Sequence, residues 1–271
     1  MTNASHRLRA DQEARIAGRR TMRGDCDVCR QRSVFSVRGG QPPAEPVNLR
    51  EGLICRRCGL NNRMRLMYHA IRELREAHDG RLGPIYIAEE LTPFYEALVQ
   101  QFTDVTGSEY LPSGGVSGSV VEFNGRQIHQ QDLRQLSFDD NSFDLVVHAE
   151  ILEHVPAHQR ALAEIHRVLA PGGEMLFTAP FMPARETNLL RASISIEGEI
   201  VHHLAPEMHG DPLDPAGVLV FQTFGWELLD ELRGAGFDHA WVGFLDAADL
   251  GITSGVLFRA RKRGVDDAHA N

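Results

Sequence analysis

The 271-residue chain is almost without lysine: of 28 basic residues only Lys262 is not arginine. It has four cysteines, two tryptophans and four tyrosines. Its apolar runs are all short of the ~20 residues that a membrane span requires, which excludes a helical membrane protein. No apolar core follows the arginine-rich start, so a secretory leader is not expected, and the protein reads as cytoplasmic. In that compartment four cysteines do not suggest disulfides.

Charge is unevenly spread. The net formal charge is −9, yet residues 1–75 carry 16 arginines against 7 acids, which leaves the remainder strongly acidic. A basic arm on an acidic body suits contact with phosphate, on a nucleic acid or a nucleotide-linked substrate, or attraction between the two parts.

The cysteines form two C-x-x-C pairs, Cys26/Cys29 and Cys55/Cys58, separated by 25 residues. Two-residue spacing offers both thiolates to one ion from a tight turn, and two such pairs complete a tetrahedral zinc site. Free or redox-active thiols are the alternative. Catalytic zinc is the least favoured reading, because a catalytic site keeps one position open for water and four cysteines leave none. Val34-Phe35-Ser36-Val37 reads as a strand, Gly39-Gly40 and Pro42-Pro43 as a loop, and Asn61-Asn62 as the start of a helix carrying Arg63 and Arg65. These arginines suit a substrate phosphate or carboxylate, or ion pairs with the acidic body. Residues 1–20 read as a frayed helix or an unstructured segment, and Asp79-Gly80 as part of a linker. The expected division is residues 1–83, a basic zinc-binding module with its linker helix, and residues 84–271, the main domain.

The main domain is organised around Arg126–Phe181. The apolar run Phe143–Val147 reads as a parallel strand buried on both faces, followed by a helix with Pro156 in its first turn and Leu162, Ile165 and Leu169 on one side. Pro171-Gly172-Gly173 ends that helix, and Met175-Leu176-Phe177 is the next strand. Upstream, Pro84–Ala88 and Val105–Glu109 read as strands, Thr92-Pro93 as a helix start and Asn124-Gly125 as a hairpin turn. Downstream, residues 185–220 lack a clear pattern, as substrate-binding insertions often do. Phe224-Gly225-Trp226 leads into a helix, and Ala240–Leu245 and Gly255–Ala260 close the sheet.

Five pieces in order resemble the class I S-adenosylmethionine-dependent methyltransferases, above all the branch with the ubiquinone and menaquinone methyltransferases. They are Asp132-Leu133, Leu136-Ser137-Phe138, Asn141-Ser142-Phe143-Asp144-Leu145-Val146, Leu152-Glu153-His154-Val155 and Arg167-Val168-Leu169-Ala170-Pro171-Gly172-Gly173. The resemblance covers residues 84–263. It implies an α/β Rossmann-like sheet of seven strands, the last antiparallel, with S-adenosylmethionine at the strands' carboxyl ends. It further implies that Glu109 holds the ribose hydroxyls, with Tyr110 beside it, that Asp132 and the Leu133 backbone read the adenine, and that His148 and Glu150 line the cofactor site. The glycine-rich turn usual after the first strand is absent. Glu89 stands there instead, an acid suited to the cofactor's ammonium.

Histidines near their ordinary pKa suit removal of a proton from an acceptor hydroxyl or amine. His209 is the first candidate base and His203 the second. His154, beside Glu153, is a third candidate or an architectural residue. His203, Glu207 and His209 also form a possible second metal set. The implied function is methyl transfer to a small polar or phosphorylated acceptor. The alternatives are RNA methylation, use of the cofactor without methyl transfer, or non-catalytic binding.

Overall fold

The computed structural model describes residues 16, 18–38, 48–111, 115–211 and 213–265. Most of the expected 1–20 segment, the loop at Gly39-Gly40 and Pro42-Pro43, the residues Pro112, Ser113 and Gly114 and the end of the chain lie outside the described residues.

The module begins with β1 (Thr21–Cys26) and β2 (Gln31–Ser36), antiparallel with Cys26 opposite Gln31, and β3 (Ile54–Cys55) adds to β2 opposite Phe35. Its core is small: Ile16, Phe35, Leu49 and Leu53 with the buried Cys26 and Cys55. Helix α1 (Asn62–Ala77) follows, capped by Asn61, whose side-chain oxygen accepts from the Met64 amide at 2.9 Å.

Along the main domain run β4 (Ile85–Ile87), α2 (Pro93–Val99), β5 (Val105–Gly107), the hairpin β6 (Val120–Phe123) and β7 (Arg126–His129), β8 (Phe143–Ala149), α3 (His158–Val168) and β9 (Leu169–Thr178). Thr92 caps α2 through the Tyr95 amide, with Pro93 in the first turn. Asn124 and Gly125 both take positive φ in the hairpin turn, as an Asn-Gly pair allows. The unpatterned 185–220 region forms short antiparallel pieces: β10 (Leu189–Leu190), β11 (Ala192–Ile194), β12 (Ile200–His202), β13 (Met208–His209) and β14 (Val218–Leu219). Then come β15 (Gln222–Thr223), which pairs with β10, α4 (Glu227–Gly234), β16 (His239–Ala247) and β17 (Ile252–Arg261).

Among the described residues the central sheet has six strands in the order β16-β17-β9-β8-β4-β5, parallel except at β17, which is antiparallel to both neighbours. The expected seventh strand is reduced: the chain past β7 meets β5 through one parallel bridge, Glu109 to Gln130. Residues 126–129 are spent on the hairpin with β6, which leaves too little extended backbone for a full strand.

Side-chain alternation divides the core between the two faces of the sheet. Tyr86, Val146, Met175 and Phe177 join α3 and α4 through Leu162, Ile165, Leu228 and Leu232. Ile85, Ile87, Leu145, Val147 and Leu176 join α1 and α2 through Met67, Ile71, Leu74, Phe94 and Leu98. Helix α1 therefore shares its apolar side with the sheet, although it precedes the Asp79-Gly80 turn where the linker was expected. Helix α3 starts at His158, after a left-handed Ala157, so Pro156 precedes the helix instead of occupying its first turn.

The module sits against the β16–β17 end of the sheet. Gly251 has φ of 64°, and a Cβ there would lie 2.2 Å from the Phe35 ring, so only glycine permits this approach. The buried Arg65 guanidinium donates to the Leu53, Leu250 and Gly251 carbonyls and lies 4.1 Å from the centre of the Phe35 ring. Asn62, 1% exposed, donates to the Leu49 and Thr253 carbonyls at 2.7 Å and accepts from the Thr253 amide at 3.2 Å. Asn62→Ala would strand these buried backbone groups, so a loss of about 2–3 kcal/mol is expected in denaturant unfolding; an unchanged midpoint would contradict this coupling.

Candidate functional site

Open parallel sheets bind ligands at the carboxyl ends of strands where the chain order reverses. Here that point lies between β4, which leads to β5 on one side, and β8 on the other. Glu89 and Glu90 follow β4, Glu109 follows β5, and Glu150 follows β8.

The turn after β4 has no residue at positive φ, so it needs no glycine. Glu109 holds it: one carboxylate oxygen accepts from the Glu90 and Leu91 amides, both at 2.8 Å. Burial pushes the Glu109 carboxyl up, and those amides offset part of the shift. Glu90 turns the other way, accepting from the His129 amide at 2.9 Å. Glu89 is 8% exposed, and its Oε1 is buried without a hydrogen-bond partner. Burial raises its carboxyl to about 7, with the Thr92 hydroxyl and the Arg63 charge acting in opposition. An unpartnered, buried carboxylate oxygen beside a second carboxylate fits a ligand that carries a positively charged ammonium.

The other expected cofactor residues fare differently. Asp132 binds Arg134 through both carboxylate oxygens, the closest contact being 2.7 Å, and also accepts from the Arg134 amide at 2.8 Å. Burial raises its carboxyl, but Arg134 outweighs this and holds it low. Glu109 and Asp132 both act on the phenol of the buried Tyr86, so they belong to one neighbourhood. Leu133 is 6% exposed within the core, and Tyr110 lies on the surface at 53%. His148 is fully buried and stacks on Phe177 at 4.7 Å, with both ring nitrogens unpartnered. Burial brings it down to about 3, so it is a neutral part of the aromatic core and not a lining of the cleft.

Glu150 takes φ of 58°, a left-handed backbone uncommon for a side chain with a Cβ and frequent at functional sites. It pairs with Arg50, and its Oε1 lies 4.0 Å from Arg63 Nε. Arg63 also donates to Glu51, at 2.8 and 3.3 Å, while its Nη1 is buried without a partner. The module thus delivers Arg50 and Arg63 to the strand ends. Arg65, the other arginine expected to meet substrate, is consumed by backbone carbonyls. Arg50 and Glu51 were missed from the sequence, where nothing but their charge distinguished them.

Past β8, Glu153 and His154 meet His209 from β13. Glu153 is 0% exposed, neither carboxylate oxygen has a hydrogen-bond partner, and burial raises it to about 7. His154 Nε2 and His209 Nδ1 each lie 3.7 Å from Glu153 Oε1. His154 Nδ1 is 2.8 Å from the Leu219 carbonyl, which ties the insertion to this loop, and burial lowers its pKa to about 4. His203 stays outside: it is exposed, with Nε2 2.9 Å from Ser193 Oγ. In place of the set His203, Glu207 and His209, the structure brings Glu153, His154 and His209 together, with Glu207 3.4 Å from His209 Nε2.

The four cysteines converge, with Sγ atoms 3.9 Å apart for Cys26–Cys58 and 3.8 Å for Cys29–Cys55. A disulfide needs about 2.05 Å, whereas tetrahedral thiolates at about 2.3 Å from zinc lie about 3.8 Å apart. The Cys58 thiol draws Cys26 down to about 5, while burial pushes Cys29 up to about 11 and the Cys26 contact pushes Cys58 higher still. Four crowded sulfurs share their charge poorly unless a cation neutralises them, so the donor set fits zinc.

Residues 94–177 match the family profile described as a methyltransferase domain. The demethylmenaquinone methyltransferase of Staphylococcus epidermidis is 32% identical over 156 residues, 58% of this chain and 62% of that protein. This chain therefore spans about three fifths of the curated relative's length. Among solved structures, the 1,6-didemethyltoxoflavin-N1-methyltransferase of Burkholderia thailandensis, with bound S-adenosylhomocysteine, is 19% identical, covering 73% of this chain and 78% of its own, with a TM-score of 0.45. The S-adenosylmethionine-bound amino pentose methyltransferase of Micromonospora echinaspora is 17% identical, covering 73% and 90%, with a TM-score of 0.45. Over residues 94–177 the chain is therefore similar to the methyltransferase-domain family, and to curated and solved methyltransferases over a wider span.

Proposed function

We propose that the protein transfers the methyl group of S-adenosylmethionine to an oxygen or nitrogen of a small polar acceptor. The observation that carries this is the pair of buried carboxylates on neighbouring strand ends, Glu109 bracing the turn after β4 and Glu89 with an open oxygen, inside a domain of the matching family. When bound, the cofactor supplies an electrophilic methyl on a sulfonium. Glu89 takes its ammonium, Glu109 its ribose hydroxyls, and Asp132, Leu133 and Tyr110 flank the base. Glu150 orders the Arg50 and Arg63 side chains. Arg63, with Nη1 unpartnered, suits an acceptor that carries phosphate or carboxylate, including a nucleotide-linked one. His154 and His209 border the acceptor end, opposite the adenine-side acids.

Zinc in the four-cysteine site is structural, and the module it folds, within residues 1–83, positions those arginines for the domain at 84–271. RNA methylation is the second reading, favoured by a surface cleft lined by Arg23, Arg32, Arg56 and Arg57 on the module. Salt-dependent RNA binding lost on reversing these charges would support it.

Calorimetry with S-adenosylmethionine and S-adenosylhomocysteine tests the main reading, and binding of neither would sink it. Since Glu89 stays protonated below about 7, affinity for S-adenosylmethionine is expected to rise by about tenfold in all from pH 6 to 8, most of it below pH 7, and Glu89→Gln to flatten that slope. The same shift sets the sign for stability: ionising buried Glu89 costs the folded state increasingly as pH rises from 4.5 through 7.

A further inference from the structure

We propose that Glu153, His154 and His209 hold a divalent transition-metal cation at the acceptor end of the site, separate from the four-cysteine centre. Three observations converge on it.

The first is geometry. One ligand atom from each residue lies within 4.8 Å of the others, and both imidazole nitrogens are 3.7 Å from the same Glu153 oxygen. Ligands at about 2.0–2.2 Å from one ion sit about 3–3.5 Å apart, so each Glu153–imidazole distance has to close by only a few tenths of an ångström.

The second is orientation. A metal-bound histidine usually donates its other ring N–H to a carbonyl or carboxylate, which aims the free lone pair at the ion. His154 has this arrangement, with Nδ1 2.8 Å from the Leu219 carbonyl and Nε2 turned to Glu153. His209 has it reversed, with Nε2 3.4 Å from the Glu207 carboxylate and Nδ1 turned to Glu153. Each ring thus has one nitrogen beside an oxygen outside the cluster and the other beside Glu153.

The third is the orphaned acid. Glu153 has a fully buried side chain and no hydrogen-bond partner for either oxygen, a costly state unless something positive meets it. Arg50 and Arg63 are nearby but are engaged by Glu150 and Glu51. The chain between β13 and β14 adds Asp211, whose charge also reaches His154.

Two imidazoles and one carboxylate favour iron, nickel, cobalt, manganese or zinc over magnesium, and leave positions open for water or acceptor oxygens. That last assignment, which selects acceptors bearing hydroxyl or carboxylate oxygens, rests on the methyl-transfer reading. The cation site itself does not.

The test uses full-length protein with zinc already in the cysteine centre, titrated with Ni2+ and separately with Mn2+ by calorimetry, Mn2+ also by electron paramagnetic resonance. One further equivalent is expected to bind. His209→Ala, at a half-exposed position, and Glu153→Gln should each abolish it, and Glu207→Gln should weaken it about tenfold, while the zinc content stays the same. Metal-free melting curves check that the variants fold. Failure of both ions to bind, or binding unchanged in His209→Ala, would overturn the proposal. A cation bound by a protein with no affinity for S-adenosylmethionine would uphold the site and sink the methyl-transfer reading; the converse result would do the reverse.

Discussion

Removing zinc, by a strong chelator or by Cys55→Ser, is expected to unfold the module and lower the melting temperature of the whole chain. Among the described residues the module's own core has four buried apolar side chains besides the cysteines, a small core for folding unaided. In zinc-finger peptides a structural site of this kind contributes about 10–16 kcal/mol at neutral pH, and that binding energy is folding energy. Part of the loss reaches the main domain, because Asn62, Arg65 and Gly251 join the two. If only about 3 kcal/mol is transmitted, the transition should fall by about 6–12 °C. Hydrogen exchange should lose protection over β1–β3 first and keep it in β8 and β9. Since Arg50 and Arg63 come from the module, affinity for an anionic acceptor should fall with it. An unchanged melting curve after full metal removal would refute the structural role.

The second large effect is expected at Glu109. Its carboxylate accepts two amides of the turn that replaces the glycine loop, and in the proposed function it also accepts the ribose hydroxyls. Glu109→Ala releases that turn and removes the charged acceptor. Hydrogen bonds to charged groups contribute about 1.5–3 kcal/mol each, so a loss near 3 kcal/mol predicts an S-adenosylmethionine Kd about 100-fold weaker. Asp132→Asn should do far less, because Arg134 already occupies that carboxylate. Calorimetry on variants with unchanged circular dichroism decides it. Equal losses at both positions would contradict this reading, and no loss at Glu109 would remove its basis.

Much of the fold is carried by local chemistry. Within β8, Leu145, Val146 and Val147 alternate between two buried faces, Asn124-Gly125 makes a hairpin because both residues tolerate positive φ, and Thr92-Pro93 starts α2 because a hydroxyl and a missing N–H suit a helix start. The four cysteines met as their spacing implied. Position at a strand end was legible for Glu89 and Glu109, which follow β4 and β5 as expected. His148 misled because a strand-end position does not say whether a side chain meets the cleft or the layer beneath. Asp132 looked free because a neighbour two residues away gives no sign in sequence of folding back to pair with it.

What the sequence determined by itself is the set of short-range decisions: caps, turns, alternation and the paired C-x-x-C spacing, each fixed by a handful of adjacent residues. Tertiary structure decided that α1 packs with the sheet, that the seventh strand shrinks to a bridge, and that His209 reaches Glu153 from more than fifty positions away. Such meetings depend on how whole elements pack, and a buried group acquires its partner, or is left without one, only when distant segments have closed over it.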